Sequence, residues 1–457
     1  MGLMTYTFQD KIRNKTYYEV LDIIGDYWSR ISRKLFVDLA YRKKSRKDLK
    51  KAYIKEYGIL ARQFNSMYNH VQGLIDSRLA LLEEEIVDKM LKIDMYSFKI
   101  KRFQGISHDL GQLLNDKSQK DSDFVSLVDY RHKIKSKIHG LKIKRQKYID
   151  EIPRLKKDLQ DKRPRVCFGT KKLFSKQFKS NGLSHMEWLQ MWRESRSHMF
   201  FCLGSKDETC GNQNCQFDDR SLKLRLIPKF DDLGEKGYLI IDDIDFNYGH
   251  EQVSKCACHY GYRLTKSYKI EKLYQSVSYR FIRKKDTWYV HASIEIEETP
   301  EVTSPFVGAL GIDFNVNHVN MYHIDRFGNP ISHQNLKYQM YNKSTNQVTD
   351  ILNQVADAIV NYALEHGLMV VIENLDFKHK KLFLQRKPKK YRRMLSNFPY
   401  KKYTDIIKSK CSKHGVALSI VNPKNTSVKG KRIMKRLGCS SHDGAAYIIG
   451  RRGLGYK

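Results

Sequence analysis

FVGALGIDFNVNHVNMYHIDRFGN, from Phe306 to Asn329, reads as two strands and a tight turn, with one carboxylate, Asp313, at the end of the first strand. Val307 to Ile312 is almost wholly apolar, as a strand buried on both faces is. His318 to Ile324 makes a second strand, and Arg326 to Asn329 supplies a Gly/Asn turn into a third, near Pro330 to Gln334. An acid at the end of a buried strand is costly unless something neutralises it. A metal ion would do so.

Downstream, Val348, Ile351, Leu352, Val355, Ile359 and Tyr362 recur at helical spacing and predict an amphipathic helix over about 346–366, ended by Gly367. Leu368 to Glu373 is a short buried strand that finishes on a second acid. Another helix is expected over roughly 396–414, closed by Gly415, followed by a strand from Val416 to Val421. The last helix starts at Ser440 or Ser441 and carries Asp443 in its first turn. The order is three strands, helix, strand, helix, strand, helix. That is the ribonuclease H-type arrangement, whose acids sit on the first strand, the fourth strand and the final helix.

Each acid also has a bland reading. Asp313 can be a strand-end turn residue, Glu373 a loop-facing acid, and Asp443 a first-turn acid favoured by the helix dipole. Together they fall at the three places where this fold converges its carboxylates. Such a cluster, with ordinary pKa values of about 4, repels itself without a cation. Two Mg²⁺ ions about 3.5–4 Å apart would relieve the repulsion, activate a water and stabilise the leaving oxygen of a phosphodiester.

GIDFN around Asp313, VIENLDF around Glu373, NPKNTS at 422–427 and HDGAA around Asp443 resemble the RuvC-type nuclease motifs of TnpB-like proteins. These are transposon-encoded RNA-guided DNA endonucleases of OrfB type, related to compact type V CRISPR effectors. The resemblance is best over 277–457. It implies Asp313, Glu373 and Asp443 as catalytic and metal-holding residues, two Mg²⁺ ions (or Mn²⁺) as cofactor, and guide RNA and target DNA as partners. The acid order Asp, Glu, Asp speaks against a cut-and-paste transposase of the same fold, where the final acid is usually Glu. One departure stands out. Relatives carry two CxxC pairs before the last Asp, whereas 422–442 holds only Cys439, so zinc is not expected there and the ribbon reads as a degenerate, short basic loop.

Composition points the same way. The 457 residues include 84 Lys and Arg against 50 Asp and Glu, a formal charge of +34. From Asn374 to Lys457, 23 Lys and Arg stand against 3 acids, so 20 of the 34 net charges lie in the last 84 residues. A solvated basic surface is the ordinary explanation of a charge run, but this asymmetry suits a polyanion. Candidate nucleic-acid contacts are Lys171 and Lys172; Lys387, Lys389, Lys390, Arg392 and Arg393; Lys429, Lys431, Arg432, Lys435 and Arg436; and Arg451 and Arg452. The run LDFKHKKLFLQRKPKKYRRML after Glu373 reads as a solvated connection or as a lid over the nuclease groove. There is no signal peptide and no bilayer-length apolar run, so a cytoplasmic protein without membrane contact is expected. The oligomeric state, monomer or homodimer, is left open.

The whole chain reads as α+β multidomain. Residues 1–14 give a first strand, Met4, Tyr6 and Phe8 alternating with polar neighbours. Residues 15–162 form a Lys-rich helical lobe. Within it Gly105 to Asp123 reads as a loop, and a third long helix, beginning near Phe124, ends before Pro153. Its ordinary reading is a helical bundle with a charged face; the resemblance implies a recognition lobe gripping a guide–target duplex. Residues 163–299 read as short strands at Arg165–Phe168, Met199–Leu203, Leu222–Leu226 and Tyr238–Ile244, with a helix near 184–196 and a clear hairpin over 277–294. This segment is expected to be a small β-barrel, the wedge of the relatives, completed by the N-terminal strand. Residues 306–457 are the RuvC-like, RNase H-fold domain. Cys202, Cys210, Cys215, Cys256, Cys258 and His259 match no common ribbon or finger spacing, and buried free thiols are the expected explanation. Two other readings share the charge: an RNA-guided DNA-binding regulator that no longer cuts, and a guide-independent structure-specific nuclease.

Overall fold

The computed structural model describes residues 3–116, 123–177, 182–258, 261–264, 270–297, 299–374 and 399–456. The chain divides into two compact units, 5–296 and 297–457, the second taking in the first four residues.

In the first unit, β1 (Leu3–Lys11), β2 (Met199–Cys202), β8 (Val277–Lys284) and β9 (Thr287–Glu297) form a four-stranded sheet of order β1-β9-β8-β2. The β8–β9 hairpin closes at Lys284 and Thr287. Val277, Tyr279 and Phe281 are buried along β8 because successive side chains alternate between faces. Against this face lies α1 (Tyr18–Ala40), whose Leu21, Ile24, Trp28, Ile31 and Leu35 share a core with Phe200, Phe281 and Trp288. Then come α2 (Arg46–Tyr57), capped by Ser45 and by left-handed Gly58, α3 (Ala61–Asn115) and α4 (Phe124–Gln160). They are followed by α5 (Lys171–Lys176) and α6 (His185–Arg196). A separate three-stranded sheet holds β3 (Cys215–Asp218), β4 (Ser221–Arg225) and β5 (Tyr238–Ile241), with α7 (His250–Ala257) after it. Gly261–Leu264 (β6) and Ile270–Leu273 (β7) pair on their own.

Four expectations change here. The stretch from Gly105 is helix as far as Asn115, because Ile100 and Leu110 keep the apolar spacing and Gly111 leaves room for Arg131 of α4. The helix beginning at Phe124 continues past Pro153 to Gln160, where Leu155 is buried beside Leu82 and Ile86 of α3. Arg165–Phe168 is no strand: Val166 and Phe168 pack against the core without a ladder partner, the Phe168 ring 5.4 Å from that of Phe36. Among the described residues the strands form separate sheets of four, three and two where one barrel is expected.

Cys202, Cys210, Cys215, Cys256 and Cys258 lie in this unit. Cys202, Cys215 and Cys256 are buried and Cys258 is exposed; His259 lies outside the described residues. Burial, with Glu208 nearby, pushes the Cys202 thiol up to about 12, so it keeps its proton.

The second unit contains β10 (Ser304–Phe314), β11 (His318–Asp325), β12 (Pro330–Lys337), α8 (Thr345–Glu365), β13 (Leu368–Glu373), α9 (Tyr400–His414), β14 (Leu418–Val421), α10 (Thr426–Leu437) and α11 (Ser441–Gly453). The sheet order is β12-β11-β10-β13-β14. The first three strands are antiparallel, and β13 and β14 run parallel to β10. Helices cover both faces. Leu310, Ile312, Val370 and Ile372 face α8 and α9, whereas Ala309, Met369 and Val371 face α11. That explains the unbroken apolar runs of β10 and β13. Val307 is an exception at 53% exposure, because regular pairing with β13 begins only at Ala309. The segment 422–442 is no loop: Thr426–Leu437 is helix α10, ended by left-handed Gly438.

Candidate active site

Strand register places the acids. Gly311 of β10 pairs with Val371 of β13, so two residues further along each parallel strand Asp313 and Glu373 come level and point to the same face. That face is the one α11 covers. A Cβ on Gly311 would lie 2.1 Å from the Ala446 carbonyl oxygen and 2.5 Å from the Gly450 nitrogen, and one on Gly453 would lie 2.3 Å from the Val371 side chain. Small residues thus let α11 lie directly on the sheet, with its N-terminus toward the strand ends that carry the acids.

Asp443 is 6% exposed and belongs to a capping box. Ser440 Oγ accepts from the Asp443 N–H (3.2 Å), and Asp443 Oδ2 accepts from the Ser440 hydroxyl (2.6 Å) and N–H (3.1 Å). The bland reading of this acid is therefore fulfilled: it caps its own helix. Its other oxygen, Oδ1, accepts from Asn320 Nδ2 at 2.5 Å. Asn320 is fully buried and pairs across β10–β11 with Asp313, which brings strand and helix acids to a shared neighbour. Burial pushes the Asp443 carboxyl up, but the Ser440 and Asn320 hydrogen bonds outweigh it and hold the net value below the ordinary one.

Asp313, with a side chain 15% exposed, accepts at Oδ2 from Asn315 Nδ2 (3.0 Å) and shares a hydrogen bond with His442 Nδ1 (3.0 Å). That bond to Asp313 raises the His442 pKa, against burial. His318 stacks edge-on to His442 at 4.9 Å and is lowered, first by burial and then by His442. His333 Nε2 lies 4.0 Å from Asp443 Oδ2. Glu373 is 8% exposed, and its carbonyl accepts from the Tyr400 hydroxyl. As these side chains stand, no group of three His, Cys, Asp or Glu among the described residues is gathered closely enough to hold a metal ion.

The basic candidates divide. On α10, Lys429, Lys431, Arg432, Lys435 and Arg436 are all exposed, and Gly430 seats the helix against Gly444, next to Asp443. Arg451 and Arg452 are instead spent on the protein: Arg451 bonds the Gly328 carbonyl (2.8 Å), and Arg452 bonds those of Asn422 and Lys424. Lys171 and Lys172 are exposed on α5, in the other unit. Lys387, Lys389, Lys390, Arg392 and Arg393, and the lid reading of their stretch, lie outside the described residues. Asn320, His442 and Ser440 are the site residues the sequence reading does not single out. A lone Asn within apolar HVNMYHI was the available signal.

No protein-family model matches the chain. Two uncharacterized proteins of Aeropyrum pernix are 26% identical over 157 residues, 32% of this chain and 42% and 37% of theirs. The match thus spans about two-fifths of the length of those relatives. Among solved structures, similar chains occur in a Cas12f1–sgRNA–target DNA complex (TM-score 0.24, 10% identity, covering 98% of this chain and 99% of that one) and a CRISPR-Cas12f ternary complex (0.23, 12%, 98% and 99%). A Cas12i–crRNA–dsDNA complex gives 0.31 at 10% identity, covering 86% and 70%. At such scores these likenesses decide nothing about this chain. No helix among the described residues is long and apolar enough to cross a membrane.

Proposed function

We propose that the chain is an RNA-guided DNA endonuclease of TnpB type, related to compact type V CRISPR effectors, that hydrolyses phosphodiester bonds at one RuvC-like site. The observation that carries this reading is the convergence at one end of the C-terminal sheet: Asp313 and Glu373 level on neighbouring parallel strands, and Asp443 at the start of the helix lying over them. A sheet with its first three strands antiparallel and two more added in parallel beside the first supports an RNase H-type fold.

Carboxylate oxygens are the donors a hard divalent cation prefers, so Asp313, Glu373 and Asp443 suit Mg²⁺, or Mn²⁺, in kind and would hold it. Bound there, a pair of such ions would supply Lewis-acid charge and an activated water. The chain's own residues do the positioning. Asn320 and Ser440 fix the Asp443 carboxylate, and His442 keeps an exchangeable proton within a hydrogen bond of Asp313. The exposed cations of α10, packed beside α11, suit a nucleic-acid backbone, and the +34 charge suits guide RNA together with target DNA.

The test is purification with any bound RNA, followed by Mg²⁺-dependent cleavage of a plasmid library by wild type and by Asp313→Ala, Glu373→Gln and Asp443→Asn. Each variant should lose at least about 10³-fold in cleavage while keeping RNA and DNA binding. Cleavage that survives all three substitutions refutes the acids' role. Full activity after RNase treatment points to the guide-independent nuclease, and binding without cleavage by wild type points to the regulator.

A further inference from the structure

The first unit contains a built cavity that the nuclease reading leaves unused. Trp28 and Ser32 of α1 border a hole of about 210 Å³, whose other walls include His70 of α3, Phe168 and His198. Trp28 is 4% and Ser32 3% exposed, yet the indole Nε1 and the hydroxyl find no hydrogen-bond partner among the described residues; nor do His198 Nδ1 and Arg196 Nε. Buried polar atoms are normally paired, and here four unpaired ones belong to residues that border one cavity.

Arg196 also borders an adjoining cavity of about 330 Å³, together with Arg30, Arg33 and Arg193. The one carboxylate there, Asp26, already pairs with Arg30 at 3.2 Å. Ser29 ties the two cavities together: its hydroxyl bonds the Arg196 carbonyl (2.7 Å) and accepts from Arg33. Burial and Arg196 lower the Arg33 pKa, and burial and Arg193 lower that of Arg196; Asp26 acts on both in the opposite sense but does not outweigh the crowding of guanidiniums.

We propose that the two cavities form a single-nucleotide pocket. An unstacked base of a bound strand enters between Trp28, His70 and Phe168, with the indole N–H, the Ser32 hydroxyl and the His198 ring at its edge, while its phosphate lies on Arg33, Arg193 and Arg196. Aromatic walls stack any base, edge donors and acceptors select among bases, and guanidiniums grip phosphate. A phosphate alone would leave the aromatic cavity and its unpaired atoms unexplained. The pocket does not depend on Asp313, Glu373 or Asp443, and its test does not involve cleavage.

Photocrosslinking of the full chain to a short 4-thiouridylate oligomer, and in parallel to its 4-thiothymidylate counterpart, with peptide mass spectrometry, decides the matter. Adducts on peptides containing Trp28, His70 or Phe168 are expected; the ribo arm alone assigns RNA and the deoxy arm alone DNA. Ser32→Ala and Arg196→Gln should each lower their yield about tenfold. Ser32→Ala removes a hydroxyl without a hydrogen-bond partner among the described residues, so it tests the pocket even where Arg196→Gln impairs folding. Adducts only on other peptides, or equal yields in wild type and Ser32→Ala, overturn the proposal. Inorganic phosphate competing as well as uridine monophosphate would leave only the arginines in use and overturn the base cavity.

Discussion

Strand β13 and helix α4 are stabilised in opposite ways. All six residues of β13 are buried, whereas of the 37 residues of α4 only Ile134 and Leu155 are. The sheet is fixed by apolar area removed from water on two faces. The α3–α4 pair is held by one small cluster, Leu82, Ile86 and Leu155, by stacked Tyr96 and Tyr148 (5.9 Å), and by polar contacts such as Lys89 with Glu151. Long paired helices can thus persist with little core, at the expense of local stability.

The largest effect expected from this contrast is that of Gly311→Val. Its side chain would have to enter a space where even a Cβ meets the Ala446 carbonyl at 2.1 Å, so α11 must move, at about 3 kcal/mol or more. Amide hydrogen exchange in the second unit, read residue by residue, should show that loss, and unchanged protection there would mean that α11 does not lie on the sheet through glycine. Next comes a matched pair. Leu310→Ala, at 1% exposure in the sheet core, should cost ~2–5 kcal/mol. Leu155→Ala should cost well under half as much, because its cluster is small. Equal losses in the two exchange profiles would erase the distinction. Smallest is Lys89→Met, which removes partly exposed pairs with Glu85 and Glu151 and should cost ~1 kcal/mol or less. That cost should shrink in high salt, whereas the Leu310→Ala cost should not.

A pH scan sharpens the comparison from inside the first unit. Burial, with Arg280 nearby, lowers His70 to about 4. The unfolded chain takes up that proton from about 6.5 downward and the folded one does not, so the stability from neutral His70 is complete above about 6.5 and is lost as the pH falls toward 4. His70→Phe should flatten this part of the melting-temperature profile relative to wild type. An unchanged slope would mean that the fold does not hold His70 neutral.

What sequence reading recovers follows the same divide. Leu368–Glu373 is found to the residue, because a run without polar interruption has one reading, and α8 (Thr345–Glu365) lies within a residue of the helix that apolar spacing predicts over about 346–366. Gly105–Asn115 is misread as loop because its local sequence is largely polar, while Gly111 is matched by a guanidinium from another helix. Pro153 misleads in the same way, since the packing of Leu155 outweighs a local break. The acids are legible as strand ends and a first helical turn. Asn320 is not, because its role depends on the β10–β11 register that sets it opposite Asp313. His442 needs the approach of α11 to the sheet, which no local pattern encodes.

Asp443 is at once the lock on the first turn of α11 and a proposed holder of charge. Any cation that draws its Oδ2 away from Ser440 must release the Ser440 amide and hydroxyl together. Occupancy of the site is therefore written into the backbone: faster solvent exchange at the Ser440 amide would report binding before a single bond in nucleic acid is broken. The helix start would then serve as a gauge of whether the proposed site is filled.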